Sequence, residues 1–205
     1  MQEGDSIKLT DGHGQLFEAV IEKAVSKECK VKILSSILQA RERDYKIHIA
    51  LAPTKNISRM EWFLEKATEI GIDEITPLLC EHSERKAIKP ERLEKIIIAA
   101  AKQSQKVYFP ILNPIKTFNR MMQNPVKGQR YIAYLDRENN PSLKEVYQPG
   151  KDVQILIGPE GDFSAVELGI AKNSGFVPIN LCESRLRTET AALYACFMIN
   201  CLNHV

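Results

Sequence analysis

Two stretches in the last third of the chain carry residue types from which a ligand site is made. Gly158-Pro159-Glu160-Gly161 follows the apolar, β-branched run Val153 to Ile157 and precedes Asp162-Phe163-Ser164. Glycines let a backbone turn sharply and approach a ligand closely, and Pro159 stiffens the turn. The spacing is neither GxGxxG nor GxxxxGK[ST], so it does not read as a nucleotide triphosphate loop, and an ordinary tight turn would use the same four residues. Further on, Val177, Ile179 and Leu181 lead through Cys182-Glu183-Ser184-Arg185-Leu186 into Arg187-Thr188-Glu189-Thr190-Ala191. The first turn of an apolar helix leaves backbone N–H groups free for an anionic or polar group, and its dipole favours Glu189 as the anion. Thr188 as a helix cap with Glu189 in the first turn accounts for the same residues. In open α/β sheets ligands sit beyond the carboxyl ends of strands, so two such loops in succession mark the place for chemistry.

The elements that must hold these loops alternate between strand and helix, which predicts a parallel sheet with both faces covered. Ile47 to Ala52 reads as a strand, and Ser58 with Glu61 three residues on reads as a capping box. The helix so opened is expected to bury Met60, Phe63, Leu64, Ala67 and Ile70, with Trp62 also at core spacing, and to stop at Gly71. A strand (Glu74 to Leu79) and a polar connection (Cys80 to Lys89) follow. The next helix enters through Pro90 and carries Leu93, Ile96, Ile97 and Ala100 on one side. After the proline-punctuated stretch Tyr108 to Pro125, Tyr131 to Leu135 gives another strand, and Ser164 with Glu167 repeats the capping pattern. Residues 1 to 46 read differently, as short β segments (Ser6 to Leu9, Leu16 to Ile21, Val31 to Leu34). They are broken by the turn Asp11-Gly12-His13-Gly14 and the charged Ser26-Lys27-Glu28, and a linker is expected at Arg41 to Lys46. The division expected is a small β domain over 1–46 and an α/β domain over 47–205.

The net charge of +2 conceals an uneven distribution: residues 82 to 130 hold eleven Lys or Arg against three carboxylates, and residues 131 to 205 hold six against nine. A basic middle points to a polyanion partner, with a solvated lysine face as the alternative. Lys102, Gln103 and Lys106 lie in this region at helical spacing suited to phosphate contacts. The five cysteines are odd in number and form no CxxC pair, so reduced, mostly buried thiols and no metal site are expected. No apolar run approaches a membrane span and MQEGDSIKL lacks a signal core, so a cytoplasmic protein is expected.

Ile157-Gly158-Pro159-Glu160-Gly161 with Phe163-Ser164 and Glu167, followed by Leu181 and Arg185-Leu186-Arg187-Thr188-Glu189-Thr190-Ala191, resembles the ribosomal RNA small subunit methyltransferase E family of the SPOUT class. Lys66 to Gly71, Pro77, Glu81-His82-Ser83 with Arg85, and Gln103-Ser104 match further blocks in the same order, so the resemblance covers nearly the whole chain. It implies a SPOUT-type α/β domain whose C-terminal chain forms a trefoil knot, preceded by a PUA-like β-barrel, here without its first strands. It also implies a homodimer that binds S-adenosylmethionine in the knot loops and methylates N3 of one uridine in 16S rRNA of the small ribosomal subunit. On that reading Ile157, Gly158, Pro159, Gly161, Leu181, Ser184 and Leu186 frame the cofactor, the glycines because a side chain would crowd it. Glu189 is the first candidate base and Glu160 the second, while Arg187 stabilises charge developing on a uracil carbonyl oxygen. Arg85, Lys102, Gln103 and Lys106 contact RNA. Family members usually carry some twenty further N-terminal residues, and Gln105-Lys106 replaces their commoner small residue and arginine, keeping a charge without the guanidinium fork. The alternatives are a SPOUT enzyme acting on another base or a ribose 2′-hydroxyl, and a non-catalytic RNA-binding factor.

Overall fold

Ten strands form two separate sheets in this computed structural model, which describes residues 1–25, 28–41, 43–123, 127–136 and 138–204. The first sheet is antiparallel, in the order β1 (Ser6–Thr10), β2 (Gln15–Val25), β3 (Glu28–Leu38). Its strands run longer than the apolar runs alone predict. The expected turn at Ser26-Lys27 lies outside the described residues, as does the Pro125 end of the proline-punctuated stretch. Only Ala19 and Ile21 of this sheet's apolar side chains are fully buried, whereas Ile33, Leu34, Ile37 and Leu38 are exposed.

The second sheet is wholly parallel and contains β4 (Ile47–Leu51), β5 (Glu74–Leu79), β6 (Ile111–Leu112), β8 (Gln129–Ala133), β9 (Val153–Ile157) and β10 (Val177–Ile179). Their spatial order is β10-β8-β9-β4-β5-β6, and β7 (Lys116–Thr117) pairs separately with β5. Every residue of β4 and β9 is buried, as central parallel strands require. On one face α1 (Ile57–Ile70), α2 (Pro90–Gln103) and α6 (Thr188–Asn203) pack over Ile47, Ile49, Leu51, Ile155 and Ile157. On the other, α3 (Phe118–Gln123) and α5 (Ala165–Asn173) cover Ala50, Leu78, Ile132 and Leu156. A short α4 (Leu143–Val146) sits ahead of β9. The elements β6, β7 and α3 occupy the stretch that the prolines made illegible. No described helix is long and apolar enough to cross a membrane.

Several expectations are corrected. The α1 N-cap is Asn56, whose side chain accepts the Ser58 N–H, and Glu61 takes a bond from Arg92 Nη2 (2.9 Å) instead of closing a box with Ser58. Trp62 points to solvent at 43% exposure and Ile70 is only half-buried. Cys80 and Cys196 are buried, but Cys29 and Cys201 are exposed and Cys182 lies between, so the thiols are not mostly buried. The linker is tied down: Arg41 and Arg43 both pair with Asp73 (3.0 and 2.7 Å), Arg43 also bonds Asn200 (2.9 Å), and Tyr45 enters the core. Ser164 and Glu167 do form the expected capping box at α5.

Candidate active site

Where β8, β9 and β10 end side by side, the chain leaves a cavity of about 330 Å³. Ala133 to Leu135, Ile157 to Glu160 with Asp162, and Ile179 to Thr188 without Glu183 supply its walls, with Ala191 behind. Ile157, Leu181, Leu186 and Ala191 make an apolar floor, while Glu160, Asp162, Arg185 and Arg187 bring charge to the same space. The volume lies within the range of small-molecule sites.

The first loop is held on every side. The Asp162 N–H donates to the Pro159 carbonyl (2.9 Å), closing a tight turn, and the Asp162 carboxylate accepts the Phe163 N–H (2.8 Å). That places Asp162 at φ +62°, a left-handed conformation that an aspartate tolerates through such local bonds. Phe163 is buried against Phe118, ring centres 5.8 Å apart. His82 Nδ1 lies 3.1 and 3.0 Å from the carbonyls of Gly161 and Asp162, and these acceptors raise its pKa, the Asp162 carbonyl most of all. Glu167 joins the same two loops, accepting the Glu81 N–H on one oxygen and the Ser164 N–H on the other. Glu160 accepts the Lys55 N–H (3.0 Å), and Arg85 donates to the carbonyls of Thr54 and Lys55. From the second loop, the buried Thr188 hydroxyl donates to the Gly158 carbonyl (3.0 Å).

Of the residues singled out in the sequence, Ile157, Gly158, Pro159, Glu160, Leu181, Ser184, Leu186 and Arg187 meet at this cavity. Gly161 does not line it and faces His82 instead. A methyl group added there would stand 3.1 Å from His82 Cβ, and one added at Gly158 would stand 3.1 Å from the Phe163 ring. The glycines therefore make room for the protein's own side chains. Glu189 lies outside the cavity, buried, 3.7 Å from Arg59 in a shallow depression with Trp62 and Thr190. Thr188 is a strut between the loops and makes no side-chain cap bond; the N-cap of α6 is Arg187. Arg85 braces the loop after β4, whereas Lys102 and Gln103 are exposed at the far end of α2 and Lys106 lines a groove at the domain junction with Arg41, Arg43 and Tyr108. The four expected RNA contacts thus fall at two separate places.

Sequence reasoning missed Asp162, Tyr134 and Asn180 as cavity residues. Asn180 fastens the third wall, accepting the Asp136 N–H and donating to the carbonyls of Asp136 and Asn140. The available signal was position: Tyr134 and Asn180 each follow the last residue of a parallel strand, and Asp162 lies in the loop after β9.

A parallel sheet with a ligand-sized cavity at its carboxyl ends is the general plan of a ligand-binding α/β domain, and the RNA methyltransferase domain family matches residues 41–200. The RNA methyltransferase PUA domain family matches residues 1–34, which places the small antiparallel sheet in a PUA-like domain. Among curated proteins, the ribosomal RNA small subunit methyltransferase E of Buchnera aphidicola is 31% identical over 93% of this chain and 77% of its own. The chain belongs to the ribosomal RNA small subunit methyltransferase E family. A Porphyromonas gingivalis protein described as a probable rRNA-methyltransferase superposes with a TM-score of 0.93 at 47% identity, over 100% of this chain and 87% of that one. The Neisseria gonorrhoeae ribosomal RNA small subunit methyltransferase E, solved with S-adenosylmethionine, gives 0.88 at 26% identity over 98% and 85%.

Proposed function

We propose that this protein uses S-adenosylmethionine to methylate N3 of a uridine in 16S rRNA of the small ribosomal subunit, in the cytoplasm and as a homodimer. The observation that carries the reading is the cavity at the ends of β8, β9 and β10, with an apolar floor for an adenosine and charged groups at its mouth. The residues present fit the cofactor: Ile157, Leu181, Leu186 and Ala191 would take the nucleoside, and Asp162 and Arg185 the charged arm. When bound, S-adenosylmethionine supplies an activated methyl group on a sulfonium. The protein then has to align the uracil and assist loss of its N3 proton. Arg187 at the cavity stabilises negative charge on a uracil carbonyl, which makes N3 more acidic. Of the two candidate bases, Glu160 lines the cavity and accepts the proton there; Glu189 belongs to the Arg59–Trp62 face. The target base leaves its stack to enter, with the basic residues of 82–130 holding the backbone.

The dimer reading is supported by Trp62 (43% exposed) on α1 and Phe197 (53% exposed) on α6, neighbouring helices that leave large apolar groups uncovered. Trefoil threading of the C-terminal chain is supported by the coupling of the loops at 158–163 and 181–187 through Thr188. Incubation with small-subunit RNA and S-adenosylmethionine, followed by mass spectrometry of the nucleosides, is expected to yield 3-methyluridine; a ribose 2′-O-methyl product overturns the N3 assignment. Glu160→Gln is expected to reduce turnover while cofactor affinity holds. If Glu189→Gln does this instead, the base comes from the α1–α6 face.

A further inference from the structure

We infer that Asp162 is a specificity-determining residue that pairs with a positive charge on the methionine arm of the cofactor; the inference rests on the S-adenosylmethionine reading above. S-adenosylmethionine carries two cationic centres, the sulfonium and the α-ammonium. A site that binds it out of water must answer at least one of them, because an unpaired charge is costly to desolvate.

The cavity lining offers two carboxylates, Glu160 and Asp162. Glu160 is exposed and its carboxylate accepts the backbone N–H of Lys55. Asp162 is partly buried in the wall. Its Oδ1 takes the Phe163 N–H, while among the described residues no hydrogen bond reaches its Oδ2. An added methyl at Gly158 would stand 3.3 Å from Asp162 Oδ1, so this carboxylate is tucked against the cavity's glycine. Burial raises its pKa, partly offset by the Phe163 N–H and by the charges of Arg185 and His82. A desolvated carboxylate with one free oxygen binds a cation more strongly than a solvated one. The left-handed backbone at φ +62° fixes its position: the turn bond from Asp162 N to the Pro159 carbonyl and the two carbonyl contacts of His82 leave the loop little freedom to carry the carboxylate elsewhere. Arg185, which also lines the cavity, is then free for the methionine carboxylate.

Asp162→Asn tests this because the amide keeps an oxygen for the Phe163 N–H and tolerates the same backbone conformation, while removing only the charge. Calorimetric titration compares S-adenosylmethionine, S-adenosylhomocysteine and 5′-methylthioadenosine on both proteins. The last compound lacks both cations and reports that the nucleoside site is intact. The expected result is a loss of roughly tenfold to a hundredfold for S-adenosylmethionine, the range of a charge-assisted hydrogen bond, with methylthioadenosine unchanged. An equal loss for S-adenosylhomocysteine assigns the contact to the ammonium, and a smaller one assigns it to the sulfonium. Unchanged affinity for S-adenosylmethionine, or an equal loss for all three compounds, overturns the inference alone. Wild-type protein that binds none of them overturns the cofactor reading and this inference with it.

Discussion

The two loops that bound the cavity are built on opposite plans. In 158–163 every residue has a polar group engaged within the protein: Gly158 with Thr188, Pro159 with Asp162, Glu160 with Lys55, Gly161 and Asp162 with His82, and Phe163 with the Asp162 carboxylate. In 182–186, among the described residues, the one hydrogen bond from a donor in the segment runs from Cys182 Sγ to the Ser184 carbonyl, and Glu183, Ser184 and Arg185 are exposed. A loop whose bonds are satisfied internally is a fixed wall. A loop with free donors and acceptors is ordered by what it binds, whereas the fixed wall reads a ligand only through the carboxylate oxygens of Glu160 and Asp162 that its internal bonds leave open.

The sharpest way to break this contrast is Phe163→Ala, which removes the buried ring that anchors the first loop beside Phe118. A loss of about 3–5 kcal/mol in urea-induced unfolding is expected, together with cofactor binding; a loss below about 1 kcal/mol would mean that the wall stands without its anchor. Thr188→Val cuts the strut and leaves the Gly158 carbonyl without its buried donor. About 1–3 kcal/mol of stability should go, and S-adenosylmethionine affinity should fall because the two loops lose their common reference point. At the small end, Arg185→Ala is expected to leave the unfolding midpoint almost unmoved, with a change within about 0.5 kcal/mol, since its side chain is exposed.

Proteolysis compares the loops directly, because each contains one glutamate. A glutamate-specific protease is expected to cut after Glu183 well before Glu160, and S-adenosylmethionine should slow the first cut. Equal rates at the two sites would show that the hydrogen bonds of the first loop confer no rigidity.

Much of the scaffold was legible because its signals are local. Central parallel strands need predominantly apolar runs, and 47–51, 74–79 and 153–157 have them; Pro90 and the Ser164–Glu167 pair mark helix starts by local backbone chemistry that is realised in the fold. The misreadings involve competition from elsewhere in the chain. Ser58 and Glu61 have the spacing of a capping box, but Asn56 reaches the Ser58 N–H first and Arg92, on another helix, draws Glu61 away. Thr188 has the chemistry of a cap, yet a carbonyl thirty positions earlier is its partner. Glu189, the first candidate base in the sequence, lies in the fold beside Arg59 and outside the cavity lining. Trp62 sits beside Phe63 in the apolar pattern, yet it falls on the face of α1 shared by Ser58, Glu65 and Glu69.

The last helix begins at the cavity with Thr188 and ends at the domain junction, where Asn200 bonds Arg43 and the Gly71 carbonyl. Its 16 residues span about 24 Å. It is a connecting rod between the two poles of the molecule, with the linker's arginines, through Asn200 and the shared Asp73, bolted to one end and the wall of the cavity to the other. A displacement of the small N-terminal sheet is therefore a mechanical load, carried through the linker, on the helix that helps wall the cavity.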